Sequence, residues 1–155
     1  MPTPSVTFNT LSEPEHAPAV VEMMTALYAE DAAGHPVSAS HFPETIGHLM
    51  NSPQEGRIVL FRESGTVVGY ALLIPYWSNE FGGRIVFVDE IYVRPEDRNR
   101  GIATAFFETL RNQRPFGAVA LALEVSPENG KARRLYETLG FEGRELATMV
   151  SVLDD

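Results

Sequence analysis

One junction constrains the fold of this chain more than any other stretch. The β-rich run Arg84-Ile85-Val86-Phe87-Val88-Asp89-Glu90-Ile91-Tyr92-Val93 passes through Arg94-Pro95 into Arg98-Asn99-Arg100-Gly101-Ile102-Ala103, and an apolar-periodic stretch continues to Leu110. A strand, a short arginine-rich turn and a helix therefore follow in that order. Backbone N–H groups at a helix start have no intrahelical acceptor and can hold a phosphate. Gly101 permits close approach or an unusual φ, and Ala103 adds only a methyl group. The junction reads as a pyrophosphate cradle.

Around it, the order of elements is mixed α/β. Val6 to Thr10 is a short strand. Ser12, with Glu15 three positions on, has capping-box spacing for a helix from about Glu13 to Glu30. Val20, Met23, Met24 and Leu27 form its apolar stripe. Gly34-His35-Pro36 ends that signal, and Pro43 suits the first turn of a second helix through Met50. Gly56 to Phe61 and Val67 to Ile74 form a hairpin across Glu63-Ser64-Gly65-Thr66. Pro75 is expected to disturb the second strand, leaving Tyr76 to Glu80 as a bend or a bulged extension. Val119 to Val125 is a further strand, interrupted late by Glu124. A helix from Asn129 through Leu139 ends at Gly140, and Phe141 with Leu146 to Leu153 supplies a last hairpin-like region. The helix between the Ile91 and Leu121 strands permits a right-handed parallel crossover. With 155 residues and no interdomain linker, one domain over residues 1–155 is expected.

Charge narrows the partners. The chain carries 21 acidic and 12 basic residues, a net −9, so a broad nucleic-acid face is not expected. Arg94, Arg98 and Arg100 form the one local basic excess, on the scale of a small polyphosphate. A net acidic protein attracts a cationic substrate. The chain has no cysteine, which excludes disulfides, thiolate metal sites and a cysteine nucleophile. The start, Met1-Pro2-Thr3-Pro4-Ser5, lacks the pattern of a signal peptide, and no apolar run reaches membrane-spanning length. A cytoplasmic protein without membrane attachment is expected. The four histidines show no metal-ligand spacing, and no metal is expected.

Two motifs in this order resemble the GNAT family of N-acetyltransferases. The family's Gln/Arg-x-x-Gly-x-Gly/Ala is matched by Arg98, Gly101 and Ala103. Its Asn-x-x-Ala-x-x-aromatic/Leu-Tyr followed by Gly-Phe is matched by Asn129, Ala132, Leu135, Tyr136, Gly140 and Phe141. The resemblance covers Val6 to about Val152. It implies a mixed, largely antiparallel sheet with a splayed central parallel strand pair flanked by helices. It also implies acetyl-CoA as donor, an amine as the usual acceptor, and transfer by direct attack in a ternary complex. The cofactor's pyrophosphate is then held by backbone N–H groups from Asn99 through Thr104 (Asn99, Arg100, Gly101, Ile102, Ala103, Thr104), with Arg98 and Arg100 adding charge. The pantetheine arm enters the splay beside Ile91, Tyr92 and Val93. Tyr136 matches the family tyrosine near the sulfur and is a candidate to protonate the departing thiolate. Two roles are open to Asn129: a pantetheine contact or a helix cap. Related acetyltransferases are often dimers, and a homodimer is expected.

Acceptor residues are harder to read. Adjacent residues on a strand face opposite sides, so Asp89 and Glu90 share a face only if a bulge intervenes. Glu90 is a general-base candidate and Asp89 a candidate for binding the acceptor's cation, and the assignment can be reversed. Tyr28, Phe42, Tyr76, Trp77 and Phe81 are candidates for an aromatic wall, with Trp77 expected in a loop. Glu30 and Asp31 are placed to attract a second amine. Asp89 to Pro95 also resembles the diamine acetyltransferase branch, which implies a polyamine or related small diamine. That branch often carries Trp-Asn where this chain has Pro127-Glu128-Asn129. Two other readings share the fold logic: a protein or peptide N-acetyltransferase, and a non-catalytic acyl-CoA sensor.

Overall fold

The structure is a computed structural model that describes residues 5–31 and 36–153. Residues 1–4 and the expected stop at Gly34-His35 lie outside the described residues. Five strands form one sheet in sequential order: β1 Val6–Thr10, β2 Arg57–Glu63, β3 Thr66–Ser78, β4 Gly83–Val93 and β5 Ala120–Ala122. The first three pairings are antiparallel and β4–β5 is parallel. The β2–β3 hairpin turns on Ser64 and Gly65, both at positive φ, which matches the right-handed twist of the strands it joins.

Helices α1 Ala17–Glu30 and α2 His41–Asn51 cover one face, and α3 Ile102–Gln113 covers the other. Met23, Met24, Ile46, Leu60 and Tyr70 belong to the first core. Phe61, Phe106 and Phe107 anchor the second, where Phe106 lies 4.7 Å from Phe61 and 5.6 Å from Phe107 between ring centroids. Burying each such ring contributes about 2–3 kcal/mol. A fourth helix, α4 Gly130–Thr138, follows β5, and Gly140 at φ 91° ends it.

Several expectations change. The Ser12–Glu15 capping box does not form: a 3-10 turn at Pro14–His16 precedes α1, whose start has no side-chain cap. Pro75 does not break β3, which runs on to Ser78 with Pro75 opposite Val86. The β2 ladder has already ended at Arg57 opposite Leu73, so Pro75 sits where β3 is paired on one side only, which spares a ladder bond. The strand expected over Val119 to Val125 is reduced to three residues. Among the described residues no hairpin forms after α4. Among the described residues the tail has no regular structure, and Leu146, Met149, Val150 and Leu153 are exposed.

Candidate functional site

The cofactor side is built from main chain. β5 pairs with β4 only from Ile85 to Phe87, after which residues 88–93 keep β3 as their sole strand neighbour. The parallel pair therefore opens into a V on its β5 side. The turn before α3 lies at the mouth of this opening. Asn99 has φ 62° and Gly101 has φ 78° and ψ 16°, both left-handed. No side chain caps α3 and no acid occupies its first turn. Ala105 N–H donates to Gly101 O at 3.0 Å, while the amides of Ile102, Ala103 and Thr104 find no acceptor among the described residues. A Cβ on Gly101 would meet nothing within 4 Å, so the positive φ, and not crowding, is what calls for glycine here. Ile102 is buried and pins the helix start to the core. Three free, convergent N–H groups with the positive end of the helix dipole suit a diphosphate.

The two arginines expected to help are engaged elsewhere. Arg98 donates from Nε to Val93 O at 2.7 Å and from Nη2 to both Glu30 oxygens at 2.9 and 3.1 Å. Arg100 pairs with Glu63 at 2.6 Å and Asp97 at 2.9 Å. In an acidic chain, carboxylates from α1 and β2 reach these cations and use them to brace the turn. Glu30 is thereby committed to the turn instead of standing free for a second amine. The Tyr92 side chain is buried in the α1–α2 core, which leaves its backbone to the groove. Ile91 and Val93 are half-buried against the α3 core.

Asn129 caps α4, its Oδ1 accepting from Ala132 N–H at 3.2 Å. Tyr136, about two turns along the same helix, packs edge-on against Phe107 and Phe141 at 5.8 and 6.0 Å. Its hydroxyl has no hydrogen-bond partner among the described residues. Burial pushes its phenol above the ordinary tyrosine value, so it remains a proton donor at neutral pH.

The acceptor side is built from side chains, and a β-bulge makes it. Leu72 pairs with Glu90 but Leu73 pairs with Val88, leaving Asp89 as the extra residue. Val86 and Val88 face the α3 core before the bulge, and Ile91 and Val93 face it after. The bulge thus resets the alternation and brings Asp89 and Glu90 together onto one open cleft of about 730 Å³ beneath α1 and α2. Tyr28 and, from α2, His41, Glu44 and His48 line the same cleft.

The two acids differ. Glu90 is held at both oxygens: Tyr28 Oη donates to Oε2 at 2.6 Å and Tyr70 Oη to Oε1 at 2.7 Å. Burial and then Glu90 raise both phenols above their usual range. Asp89 is exposed and accepts no hydrogen bond among the described residues. Partial desolvation first, then Glu90 and Glu124, raise its carboxyl above the ordinary aspartate value. Tyr70 is fully buried and was invisible as a site residue in the sequence, where it reads as core. The signal available was chemical: a buried tyrosine hydroxyl needs a partner. Trp77, expected in a loop on the acceptor wall, lies on β3 opposite Arg84, is 67% exposed, and does not line this cleft. His35 lies outside the described residues.

The chain belongs to the acetyltransferase (GNAT) family, whose model matches residues 21–141. It is 30% identical over 89 residues to the uncharacterized N-acetyltransferase YhfO of Bacillus subtilis, a stretch covering 57% of this chain and 60% of that protein. The chain thus spans three-fifths of that curated relative. Among solved structures, an integron cassette protein from the mobile metagenome of Cole Harbour Salt Marsh is 28% identical with a TM-score of 0.77, covering 96% of this chain and 91% of that one. A possible acetyltransferase from Clostridium difficile 630 has a TM-score of 0.82 at 17% identity, covering 97% and 99%, and shares the fold. Membership is in a family of acetyltransferases, and the free amides of the cradle fit a diphosphate such as that of acetyl-CoA. The family is matched; the diamine acetyltransferase branch receives no specific match.

Proposed function

We propose that the chain transfers an acetyl group from acetyl-CoA to a primary amine of a small cationic molecule, a polyamine or related diamine. The observation that carries this reading is the bulge at Asp89. It sets two carboxylates at the floor of an open cleft, on the strand where β4 parts from β5. When bound, acetyl-CoA supplies an activated thioester. The cradle at Ile102 to Thr104 fixes its diphosphate, and the V beside Ile91 and Val93 receives the pantetheine arm.

The geometry favours a definite division between the acids. Glu90, clamped by Tyr28 and Tyr70, is a fixed negative charge that orients the acceptor's ammonium group. Asp89, exposed and free of donors, accepts the proton that the amine must lose before attack, through water where the amine is distant. Its raised affinity for protons suits that task. The amine nitrogen then bonds to the acyl carbon, the carbon–sulfur bond breaks, and Tyr136 donates its phenolic proton to the departing sulfur. We read the sheet and its helices as one catalytic domain. We further propose a homodimer, supported by the exposed Tyr76, Trp77 and Phe81 and by the apolar tail.

A screen of spermidine, spermine, short diamines, lysine analogues, aminoglycosides and peptide N-termini, followed by CoA release and product mass, tests this. The expected result is acetylated small amines. Turnover of peptide N-termini alone would replace the small-amine reading with a peptide one. Cofactor binding without turnover across the panel would favour the sensor reading.

A further inference from the structure

Lys131 is the only lysine in the 155 residues, and it stands at the first turn of α4. Its Nζ donates to Asn99 Oδ1 at 2.5 Å. That contact joins α4 to the cradle turn across 32 positions of sequence. Arg98 and Arg100 flank the same turn, but each is paired with carboxylate. Lys131 forms no ion pair among the described residues, is exposed, and has no acid in its own helix's first turn. In a chain of net charge −9, it is the cation beside the cradle whose charge is left uncompensated.

We propose that Lys131 is the side-chain ligand of the cofactor's diphosphate, in the place the sequence offers to Arg98 and Arg100. The inference rests on the acetyl-CoA reading above. An ammonium has three donors, and Asn99 takes one, so two remain for phosphate oxygens. Asn99, at φ 62°, belongs to the turn that leads into the amides of Ile102 to Thr104, so its contact holds the ammonium at the cradle turn. A flexible, compact point charge suits this task, because the backbone already supplies the directional hydrogen bonds. Contact from α4 also ties the helix bearing Tyr136 to the bound cofactor.

Calorimetric titration of CoA and of 3′-dephospho-CoA into wild type, Lys131→Met and Lys131→Arg tests this, with thermal melting as the control for folding. Lys131→Met should weaken CoA binding by about 10-fold, the scale of one charge-assisted hydrogen bond. Lys131→Arg should restore most of it. The loss should be the same with 3′-dephospho-CoA and should shrink at high salt. Equal affinity of Lys131→Met and wild type would overturn the proposal and leave the Asn99 contact as a structural clasp. A loss that disappears with 3′-dephospho-CoA would also overturn it, by moving the contact off the diphosphate. Failure of wild type itself to bind CoA would instead sink the acetyl-CoA reading, and this inference with it.

Discussion

The turn before α3 and the cleft beneath α2 recognise their partners with opposite materials. The turn presents the amides of Ile102, Ala103 and Thr104, and spends its arginines on Glu30, Glu63 and Asp97. The cleft presents carboxylates, two of them placed by a single extra residue in β4, beside the Tyr28 phenol of α1. A backbone site depends on chain direction and on one glycine's φ. A side-chain site depends on register, because one residue more or less sends every following side chain to the other face. The first kind should fail at Gly101 and lose far less at any single neighbouring side chain, Lys131 included. The second should respond, residue by residue, to changes at Asp89, Glu90, Tyr70 and Tyr28.

The largest expected effect attacks the backbone site. Gly101→Val forces a β-branched residue to φ 78°, which the turn can relieve only by moving the backbone that aims the amides. CoA affinity should fall by about 100-fold or more, with about 1–3 kcal/mol of stability lost to backbone strain. Calorimetry beside denaturant unfolding separates the two, and unchanged affinity would reject the cradle.

Tyr136→Phe should lower kcat by about 100-fold while leaving the Kd for CoA unchanged, since the hydroxyl acts in the transition state. In wild type the raised phenol keeps its proton at and somewhat above the ordinary tyrosine pKa of 10.0. Turnover should therefore climb with pH as the acceptor amine loses its proton, with no decline from Tyr136 below about pH 10. A folded Tyr136→Phe protein with full turnover at saturating substrates would assign the tyrosine to packing.

Tyr70→Phe removes one of the two donors on Glu90 and leaves the ring in the core. Stability should drop by about 1.5–3 kcal/mol, the range for a hydrogen bond to a charged group. The acceptor KM should rise by about 10-fold while CoA affinity holds. A shift in CoA affinity instead would mean that the two regions are not independent.

The smallest effect is a stability change at Asp89. Its folded pKa is raised above the unfolded value of 3.8, so its protonated form is favoured by folding. That contribution is present below pH 3.8 and is lost as pH rises through the folded pKa. At pH 7 the ionised group is slightly unfavourable, and Asp89→Asn should raise Tm by about 1 °C, a few tenths of a kcal/mol. The difference should vanish near pH 3. A lower Tm at pH 7 would show that Asp89 has a stabilising partner in solution.

The same contrast governs what the sequence could reveal. β1, the β2–β3 hairpin, α2 and α4 were legible because turn glycines, prolines and apolar periodicity bound them. The junction of β4, turn and α3 was legible because strand, glycine and helix occur in one order. The bulge was not, since residues 85–88 and 91–93 are apolar throughout and carry no phase from which to read a slip. Tyr70 was hidden for the same reason, as one apolar-looking position in a buried strand. The carboxylate partners of Arg98 and Arg100 were not legible, because local charge density does not reveal which distant acids fold back upon it. Lys131 was overlooked because its partner, Asn99, comes from another element. The continuation of β3 past Pro75 depends on where β2 ends, a fact about a neighbouring strand. The tail had strand-like residues, but among the described residues they add no strand to either edge of the sheet.

The most direct test is an amide chemical-shift titration of uniformly 15N-labelled protein with CoA. The account predicts that the N–H resonances of Ile102, Ala103 and Thr104 move furthest, downfield as they gain a phosphate acceptor, while Tyr70, Leu72 and Glu90 on the acceptor side stay nearly still. CoA binding with the three α3 amides unmoved, or with the largest shifts around Glu90, would contradict the division of the molecule into a backbone-built donor site and a side-chain-built acceptor site.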